Sequence, residues 1–484
     1  MKFLVASASL QKVVQRISPR FRFHFTKPKA SFSNTAYRQS LASTISLQTL
    51  ASIQTLPEVS NAISLNNEST LDGLDRAAQV FQQFNPNGEE YRAVKMLQAQ
   101  GYMQLFSYPK AMEVLDSLLK LDLTPDELFQ CNLATTRLFW EQGLWEEATI
   151  KANELCDVAP QMEDNVNVPL RQGTALNALA LCRLAAANAK DVDMVQLRKR
   201  KRKQAGDGNI DEDVESQLTE ADIAQDLLKM ASKALFKGYK DGKGSTSSHI
   251  SHNRRLGLYC AASYCNQGAA ELMTILMKSA CVKRSLPIDS AMNAWRDALN
   301  VLDEMQQDES KLSEKESIFL KSTRARVYCN MAWALLFSSS YIDSTLDKGD
   351  KGAPVEEASI KLASEYAGLA LKLSDDIENA DGSLGRTLCL VASCYERAGS
   401  AVNAEGLFQS AMDVLKPSPN LSKTIDARSA FVNYSKLCRN WENREADASK
   451  YEKLALEMDD SLAEQWRGAS SLYSGFRIFG CTDL

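Results

Sequence analysis

From about residue 70 onward the apolar residues recur at intervals of three and four, on one face of a helical period, and the segments that carry them come in pairs. Short breaks such as Tyr108-Pro109 separate the two members of a pair, and Pro160 and Pro417 stand where second members should stop, because proline cannot continue a helix. The pattern predicts amphipathic helices folded into hairpins. Gly (22) and Pro (12) are scarce for 484 residues, which supplies tight turns and β-hairpins poorly and suits long helices joined by short loops.

An internal repeat sharpens this expectation. Ala99 is followed by Tyr102, Ala111, Leu115 and Leu118; at the same offsets Thr136 is followed by Phe139, Ala148, Ala152 and Leu155, and Ala392 by Tyr395, Ala404, Phe408 and Ala411. A small residue lets the first helix approach the second closely, the aromatic one turn later fills the space beside it, and the second helix answers with small and apolar residues on one face. Other pairs are less regular. Ala178 and Leu181 suit a first helix and Ala224, Leu228 and Ala231 its partner, with a charged insertion at 189–217 between them. Ala294, Ala298 and Val301 suit a second helix after the Ala-rich stretch Leu256–Ala280. Ala332 and Leu335 suit a first helix paired with Glu356–Asp375. The stretch Ala427–Met458 keeps the period but is expected to lack the small residues. About seven pairs result, above the roughly three that a stacked array needs.

This five-position pattern resembles the tetratricopeptide repeat (TPR), a helix–turn–helix of about 34 residues. The resemblance implies an all-α fold, an α-solenoid of stacked helix-turn-helix repeats over residues 70–460, with 461–484 as a C-terminal capping segment. It also implies a groove lined by the first helices that holds an extended peptide or a partner helix. Carried over to this chain, the groove residues are Gln100, Arg137 and Ser393, one position past the small residue, and Met103, Trp140 and Glu396 one turn further on. Trp and Arg are enriched at binding hot spots, although Trp140 could equally pack against the neighbouring repeat. Family members that clamp a chaperone's terminal carboxylate use Lys and Asn on this groove; Met96, Gln100 and Ala134 stand at the matching positions, so that clamp is not expected here.

Charge is unevenly distributed. Residues 1–57 carry eight basic side chains and no acid, leaving 48 basic against 61 acidic residues, a net of −13, in the remainder. Within the first segment Leu10, Val13, Val14, Ile17 and Phe21 share one helical face, while Lys12, Arg16 and Arg20 share another. An acid-free, Arg-bearing amphipathic segment is the pattern of an organellar import signal, read here as mitochondrial, with a plastid as the organellar rival and a basic tail without an address as the plain alternative. The apolar run Phe3–Ala6 is short for a secretory signal, and no segment holds the roughly 18 apolar residues of a membrane span.

The strongest cationic cluster is Arg198-Lys199-Arg200-Lys201-Arg202-Lys203. Six consecutive cations cannot be buried, so the run is expected to be exposed and unstructured: a solvated insertion, a nuclear address or a contact for nucleic acid or an acidic partner. The acidic remainder argues against a broad nucleic-acid surface.

Candidate chemistry is sparse. The 11 cysteines lie scattered in apolar stretches and read as reduced core thiols. His249 and His252 sit in a polar loop without a third ligand, against the spacing zinc favours. Gly238–Ser245 has the wrong spacing for a phosphate loop, and the segment from Asp207 has Glu212 where a calcium loop needs Gly and Leu218 where it needs Glu. No catalytic residue, metal or cofactor is therefore expected. The expected function is a non-enzymatic scaffold that binds a protein or peptide on a superhelical groove; the alternative is an organellar RNA-binding repeat protein using the basic run.

Overall fold

The computed structural model describes residues 85–161 (except 106), 168–202, 212–242, 250–279, 288–307, 312–345, 353–375, 383–415 and 421–461 (except 442), with scattered positions between 71 and 83. Among them there is no β-strand. The chain divides into two compact units, Met1–Leu123 and Thr124–Leu484.

The first unit contains one complete hairpin, α1 (Glu89–Gln104) and α2 (Tyr108–Leu119). Ala99 on α1 and Ala111, Leu115 and Leu118 on α2 are all buried, so the two helices meet across the template residues. Gln98 donates to one oxygen of the Asp75 carboxylate, and the Tyr102 hydroxyl donates to the other over 3.4 Å.

Among the described residues the second unit contains six hairpins. They are α3 (Pro125–Gln142) with α4 (Trp145–Val158), α5 (Val168–Arg202) with α6 (Glu212–Gly242), and α7 (Ile250–Ser279) with α8 (Asp289–Gln306). Then come α9 (Glu314–Thr345) with α10 (Ala353–Asp375), α11 (Ser383–Arg397) with α12 (Ala401–Val414), and α13 (Leu421–Arg439) with α14 (Glu445–Ser461). With α1/α2 this makes seven hairpins among the described residues, all-α and TPR-like.

The ends of these helices show why the chain turns where it does. At the start of α3 the Thr124 side chain accepts from the Glu127 amide while the Glu127 carboxylate accepts from the Thr124 amide, a reciprocal cap followed by Pro125 in the first turn. The exits repeat. The amide of Ser107 donates to the Tyr102 carbonyl, that of Leu144 to Phe139 and that of Ser400 to Tyr395, each at 2.8–2.9 Å. The template aromatic thus supplies the carbonyl that closes its helix, six residues before the next one starts. Gly143 and Gly399 adopt φ 76° in the corresponding turns, a left-handed conformation that suits glycine.

Inside the second unit the small positions lie at the helix contacts: Thr136, Ala148 and Ala152 in one hairpin, Ala392, Ala404 and Ala411 in another, all buried. Ala178, Ala224, Leu228 and Ala231 follow suit in α5/α6, as do Ala294, Ala298 and Val301 in α8. Glycine takes the same role where alanine would be too large. A Cβ on Gly268 of α7 would stand 2.4 Å from the indole nitrogen of Trp295 on α8. One on Gly385 of α11 would stand 2.3 Å from Leu415.

Four features depart from the expectation. The helices of the central hairpins outgrow a 34-residue repeat, since α5 spans 35 residues, α6 31, α7 30 and α9 32. The backbone of the basic run is helical through Arg202, and α6 begins at Glu212, so much of the charged insertion extends a hairpin instead of forming an unstructured loop. Lys and Arg are good helix formers, and repulsion between exposed neighbours costs only a few tenths of a kcal/mol per pair. The last hairpin does keep small residues, with Ala430 on α13 and Ala448 and Ala455 on α14 buried. Tyr395 does not fill a gap as its template position predicts; it is 41% exposed.

The first helices of the second unit also touch one another in series, α3 to α5, α5 to α7, and so on to α13, and α13 returns to touch α3. Ile425, near the start of α13, belongs to the core cluster that contains Phe129 and Leu133 of α3. A line of polar side chains runs along these inner helices. Asn266 of α7 donates to Asn177 of α5 (3.0 Å), Asn330 of α9 to the Cys265 sulfur of α7 (3.6 Å), and Arg386 of α11 to the Asn330 carbonyl oxygen (3.2 Å). Buried groups of this kind must find partners, and here the partner lies on the next hairpin, which fixes the register of the stack.

Candidate functional site

On α11 the residues Arg386, Cys389, Leu390, Ser393, Glu396 and Arg397 fall at heptad spacing and share one face. On α13, Asp426, Ser429, Asn433 and Lys436 do the same at steps of three and four, and Asn440 continues the rhythm. With Cys329, Asn330, Trp333 and Leu336 of α9 these faces enclose a cavity of about 600 Å³, open to solvent along one side. It lies on the first helices, the side of the hairpins that the TPR resemblance assigns to the groove.

Its chemistry is mixed. Trp333, Leu336 and Leu390 form an apolar floor, and Arg386, Arg397, Lys436, Glu396 and Asp426 supply charge. Arg386 is held by its hydrogen bond to Asn330, and the Ser393 hydroxyl donates to the Cys389 carbonyl of its own helix (3.0 Å). Burial pushes the Glu396 carboxyl above the ordinary carboxylate range, with Arg397 and Lys436 pulling it back down. The Cys389 thiol is pushed up by burial and by the charge of Asp426, so it is a protonated wall residue and not a nucleophile.

Of the six residues carried over from the TPR pattern, Ser393 and Glu396 line this cavity. Trp140 is 9% exposed and meets Trp145 edge-on with ring centroids 4.8 Å apart, so it is part of the α3/α4 core. Arg137 is half-buried and pairs with Glu141 one turn along its own helix (3.1 Å). In the first unit, Gln100 is half-buried and Met103 is buried. Of the basic run, Arg198 to Arg202 lie on α5, and Lys203 lies outside the described residues, as do His249 and the segments compared above with calcium and phosphate loops, apart from their helical ends. The template missed Arg386, Asn330, Trp333 and Lys436; the polar heptads on α11 and α13 were the signal available for two of them.

Among the described residues no group of three or more His, Cys, Asp or Glu is arranged to hold a metal ion, and no helix is long and apolar enough to cross a membrane.

No protein-family model matches the chain, and no curated protein matches it by sequence. Among the solved structures that are similar, two illustrate how low the scores are. The crystal structure of the APC/C hetero-tetramer Cut9-Hcn1 is 10% identical, covers 88% of this chain and 97% of its own, and has a TM-score of 0.17. The crystal structure of yeast Tom70 is 12% identical, covers 79% and 100%, and has a TM-score of 0.15. Superpositions that loose carry no information on topology or function, and the fold rests on the hairpins themselves.

Proposed function

We propose that this chain is a protein-interaction scaffold that holds a segment of a partner protein in the cavity between α9, α11 and α13. The observation that carries the reading is the cavity itself: about 600 Å³, on the first helices, lined by apolar and charged side chains together with Ser393. Where α13 meets α3, by contrast, Ile425 is buried in the core cluster that holds Phe129 and Leu133. A preformed cavity on stacked helices binds with little ordering cost, so affinity comes from shape and a few anchors. The compartment is the mitochondrion, on the strength of the acid-free amphipathic segment 1–57, which lies outside the described residues.

Two experiments test the proposal. Tagged wild type and the cavity-filling variant Ser393→Arg are captured in parallel from fractionated cells; a partner retained by wild type and lost by the variant supports it, and identical recoveries oppose it. A fluorescent protein fused to residues 1–60 is expected in mitochondria, and a plastid, nuclear or diffuse signal rejects the compartment. A second reading, RNA binding through residues 198–203, draws on the helical backbone of that run. It is opposed by the acidic remainder of the chain, and it requires an affinity that falls steeply with salt and vanishes when the run is deleted.

A further inference from the structure

The cavity's charge pattern narrows the kind of segment it accepts, given the reading that a partner binds there. Outside residues 1–57 the chain has more acids than bases, 61 against 48, yet the cavity reverses this ratio with Arg386, Arg397 and Lys436 against Glu396 and Asp426. The charges also differ in access. Lys436 and Arg397 are exposed at the rim, whereas Asp426 is only 5% exposed and Glu396 is half-buried. An approaching chain therefore meets cations first, and behind them the apolar floor of Trp333, Leu336 and Leu390. A basic segment would meet two repelling cations at the rim before it reached either carboxylate. Electrostatic complementarity of this kind chooses partners and speeds encounter more than it adds affinity.

We propose that the cavity takes an acidic segment of a partner protein in which an apolar side chain stands between carboxylates. The apolar group rests on Trp333 and Leu390, the carboxylates pair with Lys436 and Arg397 at the rim, and Glu396 disfavours the wrong register. Nucleic acid is the competing anion; its phosphates would use the cations but leave the apolar floor idle.

The test uses the full chain and four fluorescein-labelled probes: a short peptide alternating Asp/Glu with Leu/Phe, the same peptide with Lys for every acid, the acidic peptide with Ser for every apolar residue, and a single-stranded RNA of similar length. The acidic-apolar peptide is expected to bind tightest. Lys436→Glu and Arg397→Glu, both at exposed positions, should each weaken it by about five- to tenfold, and Glu396→Gln should tighten it. Tighter binding of the Lys peptide, equal binding of the Ser peptide, preference for RNA, or indifference to both rim reversals overturns the proposal. A photo-reactive residue at position 393 separates the two levels of the argument. A partner cross-linked there, with the acidic-apolar peptide failing to compete, removes this inference and leaves the scaffold reading intact; absence of any cross-linked partner removes the scaffold reading.

Discussion

Replacing Gly268 by Ala sets two effects of known size against each other. In a helix interior the exchange should favour folding by about 1 kcal/mol, because glycine has more backbone freedom to lose. At this position, however, the new methyl would stand 2.4 Å from Nε1 and 2.7 Å from Cδ1 and Cε2 of Trp295. Carbon–carbon contact is favourable only near 3.5–4.0 Å, so the indole must move by about 1 Å. Trp295 is fully buried, and its Nε1 donates to the Cys265 carbonyl over 3.1 Å. Overpacking a tight core costs roughly 1–3 kcal/mol, and straining or losing a buried hydrogen bond costs roughly 1–3 kcal/mol more. Steric cost therefore wins, and Gly268→Ala is expected to destabilise by about 1–5 kcal/mol. Gly368 on α10 supplies the control: it is exposed, a methyl added there would meet nothing within 4 Å, and Gly368→Ala should stabilise by about 0.5–1 kcal/mol. Urea unfolding followed by far-ultraviolet circular dichroism reads both midpoints. The reasoning is refuted if Gly268→Ala raises the midpoint as much as Gly368→Ala does.

Other outcomes follow from the same contacts. Phe408→Ala removes a fully buried ring that meets Tyr434 with centroids 6.2 Å apart, and should cost about 3–5 kcal/mol in the same unfolding assay. Thr124→Ala breaks the reciprocal cap at the start of α3 and should cost about 1 kcal/mol, whereas Thr124→Ser should cost little. Burial raises the thiols of Cys156, Cys265 and Cys394 to about 11 and that of Cys131 to about 12, from 9.0 when unfolded. The unfolded chain then releases protons that the folded chain keeps, so stability is whole below pH 9.0 and falls as pH rises towards the folded values, by about 1.4 kcal/mol per thiol per unit. Urea midpoints at increasing pH should drop above that point, and a flat profile would contradict the burial of the thiols.

How much of this was legible in the chain depended on the size of the residue involved. Alanine at fixed offsets announces a close helix contact, which is why the hairpins around Ala99, Thr136 and Ala392 could be read directly, along with the burial of Ala148, Ala404 and Phe408. Gly268 and Gly385 make the same kind of contact but read as weak points in a helix, because their purpose appears only once Trp295 and Leu415 are set against them. Only part of the cavity lining was legible. Ser393 and Glu396 followed from one repeat, since α11 keeps the template spacing. Trp140 packs into the α3/α4 hairpin because its neighbour Trp145 offers an aromatic edge there, and burying two indoles against each other releases more water than leaving one exposed. Arg386 and Lys436 could not be joined to them without knowing that α9, α11 and α13 lie side by side.

The central claim is that a partner is held on the first helices, and cross-linking from single positions tests it most directly. A photo-reactive residue is placed at Ser393 in the cavity or at Leu369, which is 45% exposed on the second helix α10, each in the full chain in its own cell. A discrete cross-linked partner is expected from position 393 and none from 369. Adducts formed only from 369 would contradict it.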